Sequence, residues 1–352
     1  MKGKLLFQIA DLFLDKVDLN EELLFSQLLG EICLNRIEGL AYIKLKNNKG
    51  EFPKEFIQTL EKIYNANKAE NRKYKQDIKE LANIFEAASF DYAFLKGAVL
   101  ITKIYDEGLR RSNDVDILIN ESSISACQNL LLSNGFIQGY KVGCNEIRKA
   151  TRREIIISRM NYGETVPFVK RINGQVFEVD LNFSMDYKPE IGESIVQKML
   201  AKKVELNYED VKLSTLHYID FLIHLCCHLY KEATTFEWVK RNRDLQLYKF
   251  SDINILINRC INKDNVEEIV NRIIELGVMK ECYYTFTNTL VVFPNLSKVE
   301  AFNKLLCNIH PESTDYIKQI VDPESNSIFA YNMPFEEWFN CNNRKEHLYK
   351  VG

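Results

Sequence analysis

Residues 110–120 read RRSNDVDILIN, and the fold turns on how that stretch is taken. Val115 to Ile119 has the Val, Ile and Leu content of a buried strand. Side chains alternate along a strand, so Asp114 and Asp116 share one face while Val115 and Ile117 take the other. Two carboxylates held that close repel each other, and taking each out of water is costly. Something must compensate. A divalent cation would, since Mg²⁺ is a hard ion that takes oxygen ligands, often one or two carboxylates plus substrate phosphates. An exposed face would also serve, and so would neutralisation by Arg110 and Arg111. The stretch alone leaves these alternatives open.

Outward from this strand, residues 87–205 read as an α/β unit. FDYAFLKG is a short aromatic strand ending at Lys96-Gly97, and the apolar residues after it recur at helical spacing. A glycine at that junction lets a phosphate approach the backbone, and a helix N-terminus offers free N–H groups. Lys96 adds a point charge. ISACQNLLLSNGF is an amphipathic helix stopped by Asn134-Gly135. EIIISRM reads as a strand. VPFVKRINGQVFEVDLNF reads as a hairpin about Asn173-Gly174. Its second arm alternates, with Phe177, Val179 and Leu181 on a core face and Glu178, Asp180 and Asn182 on the other. An acid from this arm would give Asp114 and Asp116 a third carboxylate; Asp180 and Glu178 both compete for that place.

The flanks, residues 1–86 and 206–352, read as helical. EELLFSQLLGEICLNRIEGLAYIKL carries a three-and-four apolar spacing, NNKGEF breaks it, and Pro53 suits the first turn of a long charged helix. MKGKLLFQIADLFLDKV reads as a helix rather than a signal peptide, because Gln8 and Asp11 interrupt its apolar run. Ser214 is expected to cap the helix over STLHYIDFLIHLCCHLYKE, and TTFEWVKRNRDLQLYKF follows it. The tail beyond about residue 310 reads as irregular and partly exposed. The sum is an α+β chain, a mixed sheet with helices flanked by helical regions.

Composition narrows the partners. Among 352 residues, 46% are hydrophobic and 27% charged, as a globular chain requires, and Gly 14 with Pro 7 favours helices over a turn-rich all-β fold. The formal net charge is −3, without the basic excess of a general nucleic-acid binder, so nucleic acid is not expected, with tRNA left open. Nine cysteines without a CxxC pair suit reduced thiols in the cytoplasm. No run of about 18 apolar residues exists to span a membrane. His224 and His228 lie four apart, on one helical face, around Cys226-Cys227; a packed helix explains HLCCH better than a zinc site, because no Glu completes an H-E-x-x-H pattern. The clusters at Arg152–Glu154 and Lys240–Asp244 read as solvated faces, or as anion-holding groups if either edges the cleft.

LKGAVLITKIYDEGLRRSNDVDILIN resembles the uncharacterised nucleotidyltransferase family of the DNA polymerase β-like nucleotidyltransferase superfamily. The resemblance rests on Lys96, Gly97, Tyr105, Arg110, Asp114 and Asp116, and on the later VDLNF. It covers about residues 90–185 and extends more loosely to HLCCH and RDLQLY. It implies a polymerase β-like core and two-metal transfer of a nucleoside monophosphate. Asp114 and Asp116 would bridge two Mg²⁺ ions (Mn²⁺ is an alternative), with Asp180 on one of them. Lys96, Gly97 and Arg110 would meet the phosphates of an NTP, ATP being expected, and a hydroxyl on a small molecule, peptide or protein would receive the NMP. A regulatory or toxin-like transferase acting on tRNA or a partner protein, and a silent nucleotide-binding module, are the other classes. Two positions depart from the family: Gly97 is followed by Ala98 rather than Ser or Gly, and Asn182 stands where His is common.

Overall fold

A computed structural model describes residues 2–18, 24–47, 51–143, 146–161, 164–172, 175–185 and 194–351. Residues 48–50 of the break read at NNKGEF, the hairpin turn read at Asn173-Gly174 and Cys144 lie outside them. The chain divides into two compact units. One is helical and comprises 1–68, 108–110 and 222–352; the other holds the main sheet and comprises 69–107 and 111–221.

The chain begins with α1 (Lys2–Ala10), α2 (Phe25–Leu34), α3 (Glu38–Leu45) and α4 (Lys54–Phe85). α1 stops at Ala10, short of the expected run to Val17. The Asp11 carboxylate accepts the backbone N–H of Phe13 at 2.9 Å and the side-chain amide of Asn254 at 3.1 Å. Such local side-chain bonding gives the backbone an alternative to helix. Asn35 separates α2 from α3. In α4, Leu60, Ile78, Leu81 and Phe85 are buried as the apolar stripe requires.

The sheet unit contains β1 (Tyr92–Phe94), α5 (Lys96–Val99, continued by a π-helical turn over Leu100–Ile104), β2 (Val115–Ile119), α6 (Ile124–Ser133), β3 (Ile137–Val142), β4 (Glu146–Lys149), α7 (Arg152–Asn161), β5 (Phe168–Ile172), β6 (Gln175–Asn182), α8 (Ile195–Leu200), β7 (Val204–Tyr208) and β8 (Val211–Thr215). The eight strands form one mixed sheet in the order β4-β3-β5-β6-β2-β1-β8-β7. β2 runs parallel to β6, and β1 parallel to β8; the other pairs are antiparallel. Val115, Ile117, Leu118 and Ile119 have no appreciable exposure, so β2 is a central strand. This is the α+β mixed sheet expected.

Two local expectations are corrected in this unit. EIIISRM is helical, inside α7. Thr151 Oγ1 accepts the Glu154 N–H at 3.3 Å and the Glu154 carboxylate accepts the Thr151 N–H at 2.8 Å, a capping box that outweighs the β-branched run. Ser214 is a strand residue, not a helix cap: its hydroxyl donates to the Tyr92 carbonyl at 2.9 Å, and Thr215 donates to the Phe94 carbonyl at 2.7 Å. β7 and β8 thus extend the sheet past residue 205.

α9 (Tyr218–Ala233), α10 (Phe236–Lys240), α11 (Leu247–Cys260), α12 (Val266–Leu276), α13 (Met279–Val292) and α14 (Glu300–Asn308) follow. The tail is ordered rather than irregular. β9 (Gln319–Asp322), β10 (Ser327–Ala330) and β11 (Tyr349–Val351) make a small antiparallel sheet, with α15 (Phe335–Asn340) between the last two. Trp338 is fully buried and stacks on Tyr331 at 4.1 Å, while Arg344 donates to the wholly buried Asp244 at 2.6 Å.

Gly39 offers a sharp packing test. A Cβ built there would stand 2.0 Å from the Gly108 carbonyl oxygen and 2.7 Å from Leu109 Cα, both backbone, whereas one at the exposed Gly30 of α2 meets nothing. Gly39→Ala is expected to lower stability by about 2 kcal/mol or more, and Gly30→Ala to raise it by about 0.5–1 kcal/mol. Urea unfolding of both variants checks the contrast; equal midpoints would contradict the packing.

Candidate active site

The site begins with strand register. Asp116 on β2 lies directly opposite Asp180 on β6, within the pairing Val115↔Val179 to Leu118↔Asn182. Parallel pairing in register puts both side chains on one sheet face. Lys96 reaches that face from the β1–α5 junction, and its ammonium contacts Asp116 Oδ1 at 2.7 Å. The Lys96 backbone has φ +43°, a left-handed conformation unusual for a long side chain, costing about 1–2 kcal/mol. The Leu95 N–H donates to the Asp116 carbonyl at 3.0 Å, so the junction is pinned to β2 on its backbone side as well. Asn182, two residues further along β6 and so on the same face, donates to Asp116 Oδ1 at 3.2 Å.

Asp114 is held differently. Tyr74 of α4, itself buried, donates its hydroxyl to the Asp114 carbonyl at 2.7 Å. The Ser112 hydroxyl lies 3.3 Å from Asp114 Oδ1. Gly97 makes room for this arrangement: a Cβ there would come within 2.3 Å of Ser112 Oγ and 2.9 Å of the Tyr74 hydroxyl. The close approach at Gly97 is therefore taken by side chains of the protein itself. A serine hydroxyl does reach this turn, from Ser112 rather than from position 98.

Asp180 is the electrostatic centre. Its Oδ1 is covered and accepts no hydrogen bond among the described residues. Burial, then repulsion from Asp114 and Asp116, holds its carboxyl well above the usual carboxylate range. Glu178, two residues back, is also raised, by burial and then by Asp114. The structure thus brings Lys96, Gly97, Asp114, Asp116 and Asp180 together. Arg110 belongs to the helical unit, where it is buried and donates from Nε (3.0 Å) and Nη2 (2.9 Å) to Asp252.

Carboxylate oxygens, one of them buried and unsatisfied at Asp180, are the donors a hard ion such as Mg²⁺ takes. As the side chains stand, no three His, Cys, Asp or Glu residues converge to hold a metal among the described residues. Lys96 and Asn182 already engage Asp116 Oδ1, so an arriving cation competes with an ammonium for that oxygen.

The sequence matches the pattern of a family described as uncharacterised nucleotidyltransferase over residues 26–294, well beyond half of the chain. The chain belongs to that family. A solved structure, of an antigenic nucleotidyltransferase-like protein from Paracoccidioides brasiliensis, is 19% identical at a TM-score of 0.39, covering 65% of this chain and 91% of that one. No curated protein matches. The family match starts at α2 and runs through α13, so it takes in most of the helical N-terminal part, where the motif resemblance gave no information.

Other candidates in this nucleotidyltransferase family member resolve plainly. His224 and His228 stack with ring centres 6.5 Å apart, and His228 lies 3.4 Å from Glu232; they belong to no metal cluster among the described residues. Asp244 leaves its basic cluster to pair with Arg344. No helix among the described residues is long and apolar enough to cross a membrane. Tyr74, Ser112 and the helping role of Asn182 were not legible from motifs. Tyr74 lies 40 residues from Asp114, and only the fold joins them.

Two measurements follow from this geometry. Gly97→Ala is expected to displace Ser112 and Tyr74 and to destabilise the sheet unit by about 1–3 kcal/mol, read by thermal unfolding. Asp77, on the same α4 segment as Tyr74, is raised from 3.8 to about 6 by burial and then by Glu80 and Glu70. The folded state therefore binds this proton more tightly than the unfolded chain. Its stabilising effect is complete below about 3.8 and is lost as pH rises through about 6. Asp77→Asn is expected to gain about 1 kcal/mol at pH 7.5, the full shift being discounted for solvent screening at this half-buried group, and nothing at pH 3.5. Urea titrations at the two pH values check it; a pH-independent difference would contradict the assignment.

Proposed function

We propose that this chain is a metal-dependent nucleotidyltransferase that moves a nucleoside monophosphate, AMP in the first instance, from an NTP to a hydroxyl acceptor. The observation that carries this reading is the in-register pair of Asp116 and Asp180, with Asp114 two residues away and Lys96 on Asp116, in a member of a nucleotidyltransferase family.

Asp114, Asp116 and Asp180 would hold Mg²⁺, which when bound neutralises phosphate charge at the reacting phosphorus and on the leaving group. Lys96 balances the Asp116 carboxylate before the nucleotide arrives and then lies beside incoming phosphate oxygens. Asn182 fixes the orientation of Asp116, as outer-shell hydrogen bonds do for metal ligands. Ser112 and Tyr74 fix Asp114 at its side chain and backbone. The acceptor hydroxyl forms a new O–P bond at the α-phosphorus while the bond to pyrophosphate breaks. The hydroxyl proton passes to Asp180 in its ionised form, the form that would hold the cation; its buried oxygen has no competing donor among the described residues. Bringing the reactants together in this geometry supplies much of the acceleration.

The test is Mg²⁺-dependent ATP binding and label transfer from α-labelled ATP, compared across variants whose folding is confirmed by circular dichroism. Asp116→Asn is expected to weaken Mg²⁺-dependent binding by more than about 100-fold, beyond what losing an outer-shell partner costs, and Asn182→Ala by about tenfold. Tight Mg²⁺-dependent binding that survives Asp116→Asn would overturn the metal assignment and with it the reaction.

A further inference from the structure

α7 of the sheet unit is turned the opposite way from an ordinary surface helix. Arg152, Ile156 and Met160 stand four residues apart, and so do Arg153 and Ile157, so two adjoining rows each begin with an arginine and continue apolar. Both rows face outward. Ile156, Ile157 and Met160 are 47%, 39% and 64% exposed, and Arg152 and Arg153 are exposed with them. The side turned to the protein is polar. Glu154 accepts both terminal nitrogens of Arg148, at 3.2 and 2.8 Å, and the Ser158 hydroxyl donates to the Glu164 carbonyl at 3.1 Å. A surface helix normally buries its apolar stripe and gives its charges to water. Single exposed apolar residues need no explanation, but a contiguous group of them marks a surface that meets something.

Charge selects the partner. Residues 146–160 hold Arg148, Lys149, Arg152, Arg153 and Arg159 against Glu146 and Glu154, in a chain whose formal net charge is −3. Arg148 is taken by Glu154, whereas Lys149, Arg152, Arg153 and Arg159 make no ion pair among the described residues. A second copy of this face would bring like charges together, so α7 is not built to pair with itself. A nucleic-acid strand calls for aromatic side chains on which bases stack, and the two outward rows have none. Phosphate-bearing headgroups above hydrocarbon satisfy the arginines and the apolar side chains at once. A protruding helix face also asks no fitted groove of a fluid surface. The Thr151–Glu154 capping box holds α7 helical without burial of its isoleucines, so the face is formed before contact.

We infer that α7 is a docking element for an anionic phospholipid surface. The helix lies flat on it, with Ile156, Ile157 and Met160 at the headgroup–acyl boundary and Arg152, Arg153 and Arg159 on lipid phosphates. So few side chains make the docking reversible. It is joined to the site's own sheet, because Glu164, which Ser158 holds, bridges to Asn182 of β6. The docking does not depend on the nucleotidyl-transfer reading.

The test is cosedimentation of the full chain with vesicles of phosphatidylcholine alone, or with about one-third phosphatidylglycerol. Binding to the anionic vesicles is expected to be at least about tenfold the stronger, and to weaken as NaCl is raised. Arg152→Gln/Arg153→Gln is expected to weaken it by about 25-fold, about fivefold for each basic side chain at an anionic surface. Ile156→Ser/Met160→Ser is expected to weaken it by about tenfold or more. All four positions are exposed or at the rim of α7, and circular dichroism checks that each variant keeps its fold. No binding to anionic vesicles, equal binding to both compositions, or binding that survives either double variant would overturn the inference. So would tighter binding to polyuridylate or polyglutamate than to the vesicles, lost in the arginine variant, since the face would then serve a nucleic acid or an acidic protein.

Discussion

The pairing of β2 with β6 places Asp116 against Asp180 across a parallel ladder, and the site's other features answer that constraint. A one-residue slip would move one carboxylate to the opposite face, so register and chemistry are the same fact. The ladder forces two acids together where neither is fully hydrated. Lys96 offsets one of them at 2.7 Å, and does so from a left-handed backbone that costs energy of its own. Strain of this kind persists only where surrounding contacts over-determine it. The backbone bond from Leu95 to Asp116 and the packing of Ser112 and Tyr74 against Gly97 are such contacts. Asp180 has no comparable offset among the described residues, and its carboxyl is raised accordingly.

The site was legible in the sequence where chemistry and periodicity coincided. D-x-D in an apolar run, the alternation of VFEVDLNF and the Lys-Gly junction each follow from local rules, and the fold joins them. What stayed hidden depended on distance or on competing local signals. Thr151 and Glu154 form a capping box that was present in TRRE, yet the β-branched run after it suggested a strand. The β7–β8 connection turns at Glu209-Asp210, with Glu209 at φ +51°, and lacks the Asn or Gly that usually announces such a turn. The tail looked irregular because its elements are only three to six residues long. Its order comes from Trp338 on Tyr331 and from Arg344 on Asp244, a pair 100 residues apart.

Buried charge recurs in the helical unit, handled in the opposite way. Arg110 meets Asp252 through two nitrogens, and Arg344 meets Asp244 while also donating to the carbonyls of Phe339 and Cys341. Both are guanidinium–carboxylate pairs, the geometry that best repays desolvation. Removing one partner of such a pair costs about 3–5 kcal/mol, because the other charge is left uncompensated. These pairs tie distant segments within that unit: Arg110 to α11, and the C-terminal tail to the α10–α11 connection. They fix the structure and ask for nothing from outside.

The sheet unit differs in kind. Asp116 has a lysine, a more hydrated and more mobile partner than an arginine, and a partner a cation can displace. Asp180, Glu178 and Asp77 are raised, each first by burial and then by other acids, which outweigh Lys141 beside Glu178 and Lys73 beside Asp77. A fold selected only for stability would gain by neutralising or removing such groups, as the arginines do in the helical unit. Raised acids beside the β2–β6 ladder are the opposite arrangement: the register holds the charges together, and no guanidinium among the described residues cancels them.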